Sequence, residues 1–263
     1  MSPDRRLDLD LPRGAADLIA TTLTVFVRHA LLFMSVTLIV VLPVGILVTG
    51  VWAGGFADGG DADVPVAAGV AVGLLAFLMP VLVTALHVIV VQELGNGHAP
   101  TVRKALLAAA PRFPRAIAAV LVYSVLCLVG FCLLVLPGIW VFVAGYFATQ
   151  AAVMERRGPL AAFRRSSQLV DDHWWRTAGT LALGWVLLTV VFFPVGRALE
   201  AVDSGVLYVV LYTLVQVLQL SLTALFGTLM YFSLRARKER PLGSAPGATY
   251  LPPTSAAPAP ADP

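Results

Sequence analysis

Asp171, Asp172 and His173 stand together in the run LVDDHWWRTAG. Carboxylates beside an imidazole are the residue types that hold a divalent cation or shuttle protons. Neighbouring side chains on a helix diverge by about 100°, so the three read better as a solvated polar face than as a ligand set. His87 is the only Asp, Glu, Lys, Arg or His inside an apolar stretch. An imidazole there suits a proton carrier or a hydrogen bond to a neighbouring helix, and the second is the expectation. In the last apolar stretch Thr213, Gln216, Thr223 and Gly227 recur at helical spacing, with Gln219 beside them. Such a stripe packs against other helices or lines a polar cavity. Gly69 and Gly73 have the spacing of a small-residue helix contact. GNGHAP at 95–100 has the glycines of a phosphate loop, but no strand precedes it and no Lys-Ser or Lys-Thr follows, so it reads as a turn. Cys127 and Cys132 would lie about 140° apart round a helix, and read as small packing residues. HExxH is absent, and no paired aspartates lie in an apolar stretch. No catalytic, cofactor or metal site is expected.

The elements that carry these residues follow from composition. Of 263 residues, 59% are hydrophobic and 13% charged, against about 25% charged in a soluble domain. Six apolar stretches, at 30–53, 66–92, 117–136, 139–154, 177–195 and 205–234, are near the roughly 20 residues a helix needs to cross a bilayer. The expected fold class is an all-α polytopic integral membrane protein. It has six transmembrane helices, with short cytoplasmic interfacial helices between some of them. The expected organisation is a cytoplasmic segment at 1–29, a membrane domain at 30–240 and a disordered Pro/Ala-rich tail at 241–263. The first 18 residues lack the apolar core and cleavage site of a signal peptide, so the first span is read as an uncleaved signal anchor.

Seventeen of the 18 Lys and Arg residues fall in the N-terminal segment, the loops at 93–116 and 155–177, and the C-terminal segment. The loop at 54–65 has none, and Arg197 is alone near residue 200. The positive-inside rule then predicts both termini on the cytoplasmic side of the membrane. The basic residues flank apolar spans and show no base-stacking pattern, so anionic lipid is the expected partner, and nucleic acid is not.

A threefold pattern also runs through the chain. Arg28, Arg115 and Arg176 each follow a mildly amphipathic stretch and precede an apolar one that then meets Pro and Gly. The pattern suggests three units of an interfacial helix followed by a helical hairpin. In the third unit, residues 159–175 are expected to form one in-plane helix. Gly158 caps it, Pro159 takes its first position, and Leu160, Phe163, Ser167, Val170 and Trp174 share a face. Arg164, Arg165, Trp174, Trp175 and Arg176 are the candidate lipid or partner contacts.

The stretch LPGIWVFVAGYFATQAAVMERRGPLAAFRRSSQLVDDHWWRTAG resembles the membrane domain of some bacterial glycerophosphodiester phosphodiesterases, and related stand-alone six-span membrane proteins of unknown function. Leu136, Pro137, Gly138, Glu155, Ala162, Ser166, Leu169, Trp175 and Arg176 carry the likeness. Phe163 and Asp171-Asp172 depart from it. The likeness covers roughly residues 90–180. It implies a six-span membrane domain and no activity, since the catalytic part of such fusions is a separate barrel of about 250 residues. The expected role is therefore a non-enzymatic accessory or scaffold protein contacting anionic lipid or a membrane-protein partner. The alternative is a transporter or lipid-handling protein using the stripe Thr213, Gln216, Gln219 and Thr223.

Overall fold

The computed structural model describes residues 8–9, 11–57, 66–202 and 204–239. The acidic loop residues Asp58, Asp61 and Asp63 and the Pro/Ala-rich tail at 241–263 lie outside the described residues. Among the described residues there are ten α-helices and no strand. They run α1 (Ala15–Arg28), α2 (Ala30–Ala57), α3 (Val66–Gly95), α4 (Val102–Ala109), α5 (Phe113–Leu133), α6 (Val135–Gly145), α7 (Ala148–Met154), α8 (Pro159–Val170), α9 (Trp174–Leu199) and α10 (Gly205–Glu239). Six stretches are long and apolar enough to cross a membrane: Ala30–Leu47, Ala67–Gly95, Val102–Leu133, Val135–Met154, Pro159–Leu199 and Gly205–Glu239. The order runs three times through a short helix followed by a hairpin, the second hairpin having a broken return arm (α6 and α7).

The short helices are amphipathic, and their buried faces join them to the bundle. In α1, Leu18, Thr22, Val25 and Phe26 share one face, which is buried, and α1 packs on α10. In α4, Ala105 and Ala109 are buried, and the Thr101 hydroxyl caps the first turn by accepting from the Lys104 N–H at 3.4 Å. The long helices divide into two halves. Residues 85–91 of α3 and 224–234 of α10 are buried on every side, and α3 packs on both α10 and α7. The opposite halves expose Val70, Leu74, Leu128, Leu133, Val190 and Val206, a belt of large apolar side chains.

Several expected boundaries shift for identifiable reasons. The turn expected at Leu136-Pro137-Gly138 falls instead at Leu134, which is extended (φ −166°, ψ 154°). Pro137 then sits in the first turn of α6, where its missing N–H has no helical partner to lose. The run GNGHAP is the turn that closes α3. Gly97, at φ 77°, donates to the Leu94 carbonyl at 3.1 Å, and His98 donates to Glu93 at 2.9 Å. That paired pattern needs a left-handed residue, which glycine adopts without a Cβ penalty. Gly69 and Gly73 would have nothing within 4 Å of an added Cβ, so the contact expected of them is not made among the described residues.

Candidate functional site

The fourth apolar stretch is broken, and the break organises the site. Its two parts, α6 and α7, are separated at Tyr146 and Phe147. Gly145 occupies a tight place there. A Cβ on it would come within 2.4 Å of the Tyr123 ring and 2.7 Å of the Phe163 ring. The polar backbone groups at the break are taken up by side chains from two other helices. Ser166 of α8 donates its hydroxyl to the Ala144 carbonyl at 2.6 Å and accepts from the Phe147 N–H at 3.1 Å. Tyr123 of α5 donates to the Phe142 carbonyl at 3.0 Å. A buried backbone group without a partner is costly, so these two side chains make the break tolerable.

The break turns Tyr146, Thr149 and Gln150 toward a cavity of about 350 Å³. Its far wall is α10, which contributes Gln216, Gln219, Thr223 and Gly227, and α9 contributes Trp185. Three of the four expected stripe residues, Gln216, Gln219 and Thr223, therefore lie in one wall, while Thr213 does not line it. Thr223 returns its own hydroxyl proton to the Gln219 carbonyl at 2.8 Å. Gln150 is only 3% exposed, and its Oε1 is buried without a hydrogen-bond partner among the described residues. Pro80, Phe142 and Trp185 are exposed at the rim, so the cavity opens sideways through the apolar belt. Among the described residues that line it there is no carboxylate, imidazole, amine or thiol. Sequence reasoning passed over Tyr123, Tyr146, Thr149 and Gln150. The legible signal was a glutamine and two tyrosines inside apolar stretches, where a polar side chain asks for a partner.

The stretch around α8 differs from a single in-plane helix. Helix α8 ends at Val170, a 3₁₀ turn spans Asp171–His173, and α9 begins at Trp174. Gly158 and Pro159 take the expected cap and first position. The buried face is Ala162, Ser166, Leu169 and Val170, whereas Leu160 is 60% exposed. The face is rotated because Ser166 must reach the break, which carries Leu160 outward. Trp174 packs against the core, and Trp175, at 83% exposure, stands edge-on to it with ring centroids 4.7 Å apart.

The candidate contact arginines also separate. Arg164 is exposed, but Arg165 is committed inside the protein. Its Nε donates to Glu155 Oε1 at 2.8 Å, and its Nη2 pairs with Glu239. Glu155 further accepts from Arg157 at 2.6 Å and from the buried Tyr231 hydroxyl at 3.0 Å. Arg235 closes the chain of charges on Glu239 at 2.9 Å. Burial works to raise the Glu155 carboxyl, but the hydrogen bonds from Arg165, Arg157 and Tyr231 outweigh it and hold its pKa below the ordinary value. The network ties the end of α7 and helix α8 to the end of α10. Arg165 is thus a structural residue, and of the pair only Arg164 faces outward.

The remaining candidates are placed apart. Asp172 pairs with Lys238, while Asp171 and His173 are exposed. Among the described residues no group of three His, Cys, Asp or Glu stands close enough to hold a metal ion. His87 is 0% exposed, stacked on Phe33 with centroids 5.1 Å apart. Its Nδ1 lies 2.9 Å from the Val83 carbonyl, which can only accept, so Nδ1 carries the proton. In the neutral ring Nε2 then accepts from the Ser221 hydroxyl at 3.0 Å. This is the helix-to-helix bond expected of it, joining α3 to α10.

A family model described as a domain of unknown function (DUF7847) matches residues 101–236, more than half of the chain. The chain belongs to this family. No curated protein and no solved structure matches it. The DUF7847 match runs from α4 to near the end of α10. It includes the broken α6–α7 arm, Ser166, Gln150 and the α10 wall of the cavity, and leaves α1, α2 and α3 outside. It names no activity and no phosphodiesterase.

Proposed function

We propose that this DUF7847 protein is a non-enzymatic, multi-pass protein of the bacterial cytoplasmic membrane that binds an uncharged amphiphile in the cavity between α7, α9 and α10. The carrying observation is the buried Gln150 Oε1, unpartnered among the described residues, in a cavity whose other described polar groups are neutral amides, hydroxyls and the Trp185 indole. A charged head group would lose its hydration there with no counter-charge, at a cost of several kcal/mol. A hydroxyl-bearing head, such as that of a diacylglycerol, would instead donate to Gln150 and leave its chains in the sideways opening. A cavity of about 350 Å³ suits such a head group, and ligand sites begin near about 300 Å³. The exposed apolar belt supports the membrane reading, since a soluble monomer rarely shows a contiguous apolar patch beyond a few hundred Å². The basic bias supports both termini, and the loops at 93–116 and 155–177, on the cytoplasmic side. Arg164, Trp175 and Arg176 are exposed toward whatever lies at that surface, and anionic lipid suits them. The likeness of residues 90–180 to phosphodiesterase membrane domains fits a lipid-side accessory role. Between scaffold and lipid handling, the cavity favours lipid handling.

The test compares lipids co-purified with the wild type and with Gln150→Leu combined with Gln216→Leu. Wild type should retain a neutral lipid through detergent exchange, and the variant should lose it while keeping its helicity. Equal retention by both, or no neutral lipid in either, would refute the reading.

A further inference from the structure

At the end of the bundle where α1, α9 and α10 meet, three arginines converge on a recess of about 20 Å³. Arg13 precedes α1, Arg176 lies in the first turn of α9 and Arg237 in the last turn of α10. Ser233 holds the first of them in place by accepting from the Arg13 N–H at 2.8 Å, while Arg237 donates to the Arg13 carbonyl. Arg237 also feels the like charge of Arg176. Burial lowers the pKa of the Arg13 guanidinium, and the attraction of Asp8 and Asp17 only partly offsets this. Among the described residues two donors at the recess have no partner. Thr177 is 1% exposed with an unpaired Oγ1, and Arg13 Nη1 is likewise buried and unpaired. Both can donate a hydrogen bond, and both line the same recess at the positive end of the 26-residue α9.

We propose that Arg13, Arg176, Arg237 and the Thr177 hydroxyl form a site for a phosphate group, carried either by an anionic lipid head or as inorganic phosphate. The recess has room for about one oxygen. One phosphoryl oxygen seats against Thr177 and Arg13, and the others meet Arg176 and Arg237 at the mouth. Planar guanidinium forks match phosphate oxygens, and an anion there would separate charges that otherwise repel. Arg176 and His173 are exposed, so an ester-linked group can project outward. Asp8 and Asp17 compete for Arg13, which makes Arg176 and Arg237 the main anion contacts. The site shares no residue with the cavity above, so the two readings fail separately.

The full chain is titrated with inorganic phosphate in detergent, followed by the fluorescence of Trp174 and Trp175. In parallel it is reconstituted into phosphatidylglycerol or phosphatidylcholine nanodiscs, and bound lipid is counted by native mass spectrometry. Arg176→Gln with Arg237→Gln should lower affinity about a hundredfold, since each lost charged hydrogen bond is worth tenfold or so. Thr177→Val should weaken binding in the same direction without lowering the melting temperature of the unliganded protein, since it removes a buried hydroxyl that has no partner among the described residues. Arg103→Gln with Lys104→Gln, an equal change of charge at exposed positions of α4, should change it less than about twofold. A response to free phosphate assigns a soluble source. Retention of phosphatidylglycerol without that response assigns the lipid. Should the double arginine variant fail to fold, Thr177→Val decides. The proposal is overturned if neither probe binds, if Thr177→Val binds as the wild type does, or if the Arg103→Gln/Lys104→Gln control loses as much as the Arg176→Gln/Arg237→Gln variant.

Discussion

Replacing Ser166 with Ala tests whether the broken fourth stretch depends on a side chain from another helix. The hydroxyl serves the Ala144 carbonyl at 2.6 Å and the Phe147 N–H at 3.1 Å, and Ser166 is fully buried. Its loss leaves one acceptor and one donor in a dry interior, each costing about 1–3 kcal/mol. Alanine returns a few tenths of a kcal/mol in helix propensity. The expected net loss is about 2–4 kcal/mol, or roughly 5–15 °C in melting temperature for a chain of this size. Ser167→Ala, a half-buried neighbour on α8, is the control and should stay within about 0.5 kcal/mol. Unfolding in mixed micelles, followed by tryptophan fluorescence, measures both. Because the break carries Tyr146 and Gln150 into the cavity wall, Ser166→Ala should also reduce lipid retention. If Ser166→Ala is as stable as Ser167→Ala, the backbone at 144–147 satisfies itself and the argument for a supported break is wrong.

Glu155 sets a pH dependence. Its folded-state pKa is depressed, so its contribution is complete above the unfolded carboxylate range, near about 4.3, and is lost as pH falls through the folded value. Between about pH 6 and pH 3 the wild-type melting temperature should fall more steeply than that of Glu155→Gln, which starts lower; parallel curves would exclude the carboxylate. Arg156 has φ 51° just past the end of α7, a conformation that suits glycine. Arg156→Gly should raise stability by about 0.5–1 kcal/mol in the same micelle assay, and a loss would mean that the arginine side chain has contacts worth more than the strain. For topology, an impermeant thiol reagent on intact cells should label a cysteine placed at Asp61 and leave one at Asp171 unlabelled; the reverse pattern would invert the orientation.

How far the site was legible depends on the kind of signal. The stripe on α10 was readable because one helix carries it, and helical spacing is local. Its counterpart, Gln150, was passed over because nothing in FATQAAV says that the helix is broken four residues earlier. Leu160 and Ser167 fit an amphipathic face as well as Ala162, Ser166 and Leu169 do, and only contact with the break chooses between them. The doublet Arg164-Arg165 looked equivalent for the same reason. One of the pair meets Glu155 and Glu239, 10 and 74 residues away, and the other meets none of these.

By itself the sequence determined the helical class, the six stretches able to cross a membrane, the caps at Gly158 and Pro159, and the turn at Gly97. These depend on apolar length, on missing N–H groups and on the backbone freedom of single residues. All of these act within a few positions along the chain. Tertiary structure alone decided where the fourth stretch breaks, which polar residues share a cavity, and which arginines are neutralised. Arg13 meets Ser233 across 220 residues, and Tyr231 meets Glu155 across 76. Such meetings depend on how the helices cross and rotate against one another. The packing of the assembled bundle sets that geometry, and no local pattern encodes it.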